Sequence, residues 1–318
     1  MSQRTSGFCR VILILCFATT MNSICFRYVV VFLFVLVTRC IEPCMAQGPT
    51  RNITIWPEAA PGESTTNSGT ALPSRPQDQP TITRVENISL PTMDVFLAAK
   101  PNGSAVVVLP GGGFKYVVPD LEGSELAAAF NQLGISVFVL RYRTSVDSAS
   151  PWDRPLQDSQ RAIRMLRTQA EQWKLDPKKI GLVGFSAGGQ VASIHLTSSS
   201  AAYAPIDAID SASFRPDFGL LIYPWRIYDA ATDKLIAPIK VTKETPTCFI
   251  VHTHDDASTS LGAVWMYAEL KKANVAAELH VYQNGGHGYG VRSRPNSAIG
   301  SWQERAIEWL RIRDLGSK

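Results

Sequence analysis

The sequence predicts an α/β fold, with a mostly parallel sheet covered by helices on both faces. Three observations carry that expectation. From residue 104 onward, strand-like runs alternate with helix-like ones, the pattern of a parallel sheet wrapped by its crossovers. The strand-like runs at 104–109, 135–142 and 247–253 are apolar almost throughout, as befits strands buried on both sides. The run 180–183 breaks at Gly184-Phe185-Ser186-Ala187-Gly188 and passes straight into a small-residue, helix-compatible stretch.

The chain begins differently. Two ten-residue apolar runs, 11–20 and 28–37, are too short to cross a bilayer, and Arg27 interrupts any attempt to join them. The second has the length of a signal-peptide core, with Arg27 before it and Cys44-Met45-Ala46 after it as a small-residue cleavage site. Residues 1–46 are therefore expected to be a leader, with Met1 or Met21 as its start, and the protein to be secreted or periplasmic. Residues 47–81, rich in Pro, Gly, Ser, Thr and Asn, are expected to form an extended arm in which only 53–57 docks. The catalytic domain is expected over 82–318, as a single unit without internal repeats.

Within that domain, 82–90 and 93–99 are expected as paired strands around Pro91, followed by the strand 104–109. Residues 122–133 have helical character, stopped by Gly134. The strand 135–142 precedes an amphipathic helix at 156–173, with Ile163, Leu166 and Ala170 on one face and Arg161, Arg164 and Arg167 elsewhere. Strands are then expected at 217–223, 247–253 and 277–282, and helices at 261–273 and 298–313.

Composition sets limits. At 45% hydrophobic and 18% charged, the chain belongs with globular proteins rather than disordered or fibrous ones. Its formal charge of +4 falls to +1 without the leader, which holds Arg4, Arg10, Arg27 and Arg39 against Glu42. Neither a nucleic-acid partner nor stable membrane association after cleavage is expected. Five of six cysteines lie in the leader, leaving Cys248 in an apolar run, so neither a disulfide nor a cysteine metal site is expected.

The chemistry gathers at strand ends. Ser186 stands at the centre of G-x-S-x-G on a strand-to-helix turn, where tiny neighbours let the backbone bend sharply and lift the hydroxyl clear. A serine needs a base, and the base is better with a carboxylate to hold its tautomer. The strand at 247–253 ends in His252-Thr253-His254-Asp255-Asp256, and the strand at 277–282 leads to Gly285-Gly286-His287-Gly288-Tyr289-Gly290. Loops after the carboxyl ends of parallel strands gather at one edge, so Ser186, His287 and either Asp255 or Asp256 should converge. His195 is expected to be packing or surface and His280 structural. No metal site is expected at 252–256, because His252 and His254 share a face only if the strand runs through both. Pro110-Gly111-Gly112-Gly113-Phe114 closes the first long strand, where a glycine loop can present amides to an oxyanion.

On these residues the chain resembles the α/β-hydrolase superfamily, and more narrowly its secreted carbohydrate-esterase and feruloyl-esterase-like group, the acetylxylan esterases and esterase/lipases. The resemblance covers about residues 90–313. It rests on Leu109-Pro-Gly-Gly-Gly-Phe114, the strand text at 134–142, Leu156-Gln-Asp-Ser-Gln-Arg-Ala162, 180–190 and 285–290. It implies Asp256 as the acid and Gly112, Gly113 and Ala187 as oxyanion donors. It also aligns Glu122-Gly123 with a family pair, although a carboxylate at a helix N-terminus explains Glu122 as well. Pro110 departs from the histidine of many lipolytic relatives, and Ala257-Ser-Thr-Ser260 from the apolar text usual after the acid. The expected activity is that of a cofactor-free serine esterase acting on small-molecule or polysaccharide esters, with acetyl or feruloyl groups implied by the resemblance. A serine peptidase of the same fold and a non-catalytic secreted binding module are the alternatives.

Overall fold

The computed structural model describes residues 48–144 and 149–317, and the expected leader lies outside them. In chain order come β1 (Arg51–Thr54), β2 (Ser68–Ala71), β3 (Val85–Ile88), β4 (Thr92–Phe96), β5 (Ala105–Leu109) and the short β6 (Tyr116–Val117). A π-helical turn at Asp120–Ser124 leads into α1 (Glu125–Gln132), then β7 (Ser136–Arg141), α2 (Asp153–Thr168), β8 (Ile180–Phe185) and α3 (Ser186–Thr197). The remainder is β9 (Phe218–Ile222), the pair β10 (Tyr228–Asp229) and β11 (Lys234–Leu235), β12 (Thr247–Thr253), α4 (Leu261–Lys272), β13 (Ala277–Tyr282) and α5 (Trp302–Ile312).

The main sheet has the order β1-β4-β7-β5-β8-β9-β12-β13. Strands β7 through β13 in that order are mutually parallel, while β4 runs antiparallel to both β1 and β7. Period-two alternation splits the apolar strands between two cores. Val107, Leu109, Leu182 and Ile250 pack with Ile163 of α2, Val191 of α3 and Met266 of α4. Val106, Val108, Val183 and Val251 pack with Phe130 of α1 and with Trp302 and Trp309 of α5. Helices thus cover both faces, and the carboxyl ends of β5, β8, β9, β12 and β13 share one edge, the edge that carries the site.

Several expectations need correction. The strands expected as a pair around Pro91 belong to different sheets: β3 pairs with β2 and β6, whereas β4 lies between β1 and β7. Every residue of β4 is buried, so it needs a neighbour on each side, which a two-stranded ribbon cannot supply. The segment expected as an arm over 47–81 joins its neighbours by strand pairing: β1 extends the main sheet through β4, and β2 pairs with β3. Trp56 anchors it: the indole is buried, its Nε1–H donates to Asp158 at 2.9 Å, and the Arg161 guanidinium lies 5.3 Å from the ring. The helix expected at 156–173 runs instead from Asp153 to Thr168, with Pro155 in its first turn, where no intrahelical N–H is needed. Off its apolar face, Arg161 and Arg164 are buried against Asp210.

Candidate active site

The turn after β8 holds Ser186 at φ +52°, a left-handed conformation that costs a non-glycine residue energy and must be imposed by its surroundings. Those surroundings need bare glycine. A Cβ on Gly184 would lie 2.5 Å from the Gly188 carbonyl oxygen, and one on Gly188 only 2.1 Å from that of Leu109. The Trp225 amide donates to the Ser186 carbonyl at 2.9 Å and holds the turn from the β9 side.

Three distant loops meet at this serine. Ser186 Oγ lies 2.7 Å from His287 Nε2, and His287 Nδ1 lies 2.5 Å from Asp256 Oδ2. Burial raises the Asp256 carboxyl, but the His287 hydrogen bond, the Ser258 amide and the neighbouring imidazoles outweigh it and leave the group below the usual carboxylate range. An ionised Asp256 can only accept, so the imidazole proton sits on Nδ1 and Nε2 is left to accept the serine proton. Of the two candidate acids, the structure sets Asp256 on the imidazole. Asp255 instead accepts the amides of Gly286 at 2.9 Å and Gly285 at 3.2 Å, gripping the loop that carries His287.

The loop after β5 lies against the serine: a Cβ on Gly111 would come within 2.6 Å of Ser186 Cβ. Among the described residues, the amides of Gly112 and Gly113 donate to no other residue, and that of Ala187 lies in the first turn of α3, where a helix leaves its N–H groups without an intrahelical partner. They remain open to a ligand, as oxyanion donors must. Two braces hold the loop. Tyr142 Oη–H donates to the Pro110 carbonyl at 2.5 Å, and the Gly111 amide donates to Glu122 Oε2 at 2.5 Å.

Sequence reasoning missed Tyr223, the residue just past β9. Its hydroxyl donates to Glu122 Oε1 at 2.7 Å and accepts the Gly290 amide at 2.9 Å, and its ring stands edge-on 5.0 Å from the His287 ring. The one signal available was its place at the carboxyl end of an apolar strand. A cavity of about 370 Å³ is lined by Gly113, Phe114, Trp152, Gln190, Arg226 and Trp225, the residue whose amide bonds the Ser186 carbonyl. The remaining histidines lie elsewhere in the design. His195 is buried between Ser159 Oγ and the Phe214 carbonyl, and burial pushes it down to about 4. His280 pairs with Glu278 on β13. β12 ends at Thr253, leaving His252 buried and His254 beyond the strand. Cys248 is a free, buried thiol, pushed up to about 12 by burial.

An eight-stranded, mostly parallel sheet with its serine on the strand-to-helix turn defines an α/β hydrolase. Within that superfamily the chain is similar to members of the esterase group. The family model described as BD-FAE matches residues 93–213. The chain is 28% identical over 249 residues to an acetylxylan esterase of Xylanibacter ruminicola, covering 71% of this chain and 47% of that protein. It is 29% identical over 212 residues to endo-1,4-beta-xylanase B of Butyrivibrio fibrisolvens, covering 58% of this chain and 32% of the other. The chain therefore spans about half the length, or less, of these curated relatives. Among solved structures, the acetyl ester-xyloside bifunctional hydrolase from Caldicellulosiruptor lactoaceticus superposes with a TM-score of 0.68 at 26% identity, over 85% of this chain and 98% of that one. The propionate-bound Thermogutta terrifontis Est2 shares the fold, with a TM-score of 0.61 at 18% identity over 79% of this chain and 96% of that one.

Proposed function

We propose that this chain is a secreted serine esterase that removes acyl groups, acetyl or feruloyl, from polysaccharide through an acyl-enzyme intermediate. The observation that carries the reading is the unbroken relay from Ser186 Oγ through His287 to Asp256, at 2.7 and 2.5 Å. In the first half-reaction Ser186 Oγ bonds to the ester carbonyl carbon as its proton passes to His287 Nε2. The carbonyl electron pair moves onto oxygen, where the amides of Gly112, Gly113 and Ala187 receive it. Collapse breaks the bond to the sugar oxygen, which leaves with the proton from His287. Water then repeats the sequence: it gives a proton to His287, attacks the acyl carbon and releases the carboxylic acid and the free serine. No cofactor takes part in these steps.

The substrate class draws on two supports. The matched relatives carry acetylxylan esterase, xylanase and acetyl ester-xyloside hydrolase in their names. The cavity next to Gly113 offers the half-buried rings of Trp152 and Trp225, and flat apolar faces suit either a sugar ring or a feruloyl ring.

The test compares acetyl, butyryl and feruloyl esters with an aminoacyl amide, for the wild type and Ser186→Ala. Hydrolysis of the esters, lost by at least about 10³-fold in Ser186→Ala, is the expected result. Amide cleavage outrunning every ester would make the chain a peptidase, and no turnover of any substrate would leave a binding module. Mass spectrometry of the exported protein should find Gln47 at the N-terminus; a chain retaining residues 28–37 would refute the expected cleavage.

A further inference from the structure

Glu122 is a carboxylate in an unusual place. It is 4% exposed and sits in the π-helical turn before α1 with φ −112° and ψ 21°, out of helical conformation. Burial holds its carboxyl above the ordinary range, against the pull of the Tyr223 hydroxyl and the Gly111 amide. A carboxylate that cost the fold this ionisation for a helix end alone would bond the amides of its own helix. Glu122 does not: both oxygens accept from outside it, Oε2 from Gly111 and Oε1 from Tyr223.

The two partners lead to the two halves of the site. Gly111 immediately precedes the open amides of Gly112 and Gly113. Tyr223 accepts the Gly290 amide, at the far end of the loop that carries His287, and sets its ring against the imidazole. Each contact is directional. Both carboxylate oxygens face donors, so an amide in place of the acid would point its NH₂ at a donor on one side whichever way it turned. The chain of bonds runs Gly111 N–H, Glu122, Tyr223 O–H, Gly290 N–H.

We propose that Glu122 is a positioning residue which, through Gly111 on one side and Tyr223 on the other, fixes the oxyanion amides relative to the His287 imidazole. The proposal rests on the serine-esterase reading above. Glu122 touches no reacting atom. It acts by keeping donor and base in the one geometry that serves the tetrahedral intermediate, so its loss should appear in the transition state and not in substrate binding.

The experiment uses the full chain with Glu122→Gln, Tyr223→Phe and the double variant, assayed for kcat and KM on p-nitrophenyl acetate. The rate of phosphonylation by p-nitrophenyl methylphosphonate esters, which place a tetrahedral group on the serine, is measured beside them. Glu122→Gln should lower kcat by about 10–100-fold with KM within about 2-fold, and lower the phosphonylation rate in parallel. Tyr223→Phe should lose less, and the double variant should lose no more than Glu122→Gln, since both break one path. Should Glu122→Gln not fold, Tyr223→Phe, which keeps the ring and removes one hydroxyl, carries the same test by its own kcat and phosphonylation loss. An unchanged kcat, a loss confined to KM, or losses that multiply in the double variant would overturn the proposal. Ser186→Ala retaining activity would instead overturn the esterase reading itself, so the two failures are told apart.

Discussion

Two glycine-rich loops meet at Ser186, and each is gripped by one carboxylate, yet the grips are built in opposite ways. Glu122 holds the 110–114 loop from inside the fold, where burial raises its carboxyl. Asp255 holds the 285–290 loop from the surface, where the amides of Gly286 and Gly285 draw its carboxyl below the usual range. Their glycines differ in the same sense. A Cβ on Gly112 would fall 1.9 Å from the Tyr116 carbonyl oxygen, whereas Gly286 and Gly288 have open space around them and need glycine only for φ of +65°. At Gly112 the packed interior sets the first loop, whereas the second is set beside His287, at Gly286 and Gly288, by its own backbone and is packed only toward its ends, at Gly285 and Gly290. Errors in the first have nowhere to relax.

The largest expected effect separates the two neighbouring aspartates of the histidine loop's support. Asp256→Asn should lower kcat/KM by about 10⁴-fold, because the imidazole loses the partner that fixes its tautomer. Asp255→Asn should cost less than about 10-fold, because an amide oxygen can still accept one loop N–H. A reversal, measured on the same ester, would move the acid to Asp255. Both carboxyls lie below the usual range, so each adds to the acid limb of the stability profile. Asp256 titrates lower folded than unfolded, so its stabilisation is full above the unfolded value near about 4 and lost as pH falls through the folded one. Acid unfolding of Asp256→Asn, followed by circular dichroism, should lack that part of the slope.

Next in size is the oxyanion loop itself. Gly112→Ala should cut kcat by about 10²–10³-fold, as expected when an oxyanion donor is displaced, and should do so even at a temperature where the variant is folded. Wild-type kcat in a folded Gly112→Ala would break the contrast drawn between the loops. The smallest effect sharpens it: Gly286→Ala should cost only the strain of a left-handed residue, about 1–2 kcal/mol in thermal unfolding, with kcat within a few-fold.

The sheet's central strands were legible because they are continuous apolar runs, and β12 and β13 begin and end where the residues turn polar or glycine-rich. Ser186, His287 and the aspartate pair were legible because strand ends and glycines mark them. The choice between Asp255 and Asp256 was not legible in the residues, since two adjacent carboxylates differ only in which way the turn after Thr253 points them. Nor was the pairing of β3 and β4, where Pro91 suggested a turn between partners but the chain instead passes from one sheet to the other. Glu122 could be read as a helix-start acid because its true partners, Gly111 and Tyr223, lie 11 and 101 residues away. Contacts of that kind leave no periodic trace.

Cys248 gives the chain a practical property. Among the described residues it is the only free cysteine, and its thiol is buried in β12 and pushed up to about 12. At neutral pH almost none of it is thiolate, the form that reacts with alkylating reagents. A cysteine introduced at Lys115, which lines the cavity with Gly113 and Trp225, would therefore be, among the described residues, the one thiol that takes up a fluorophore. Substrate arrival at that cavity could then be followed optically on the otherwise unaltered protein.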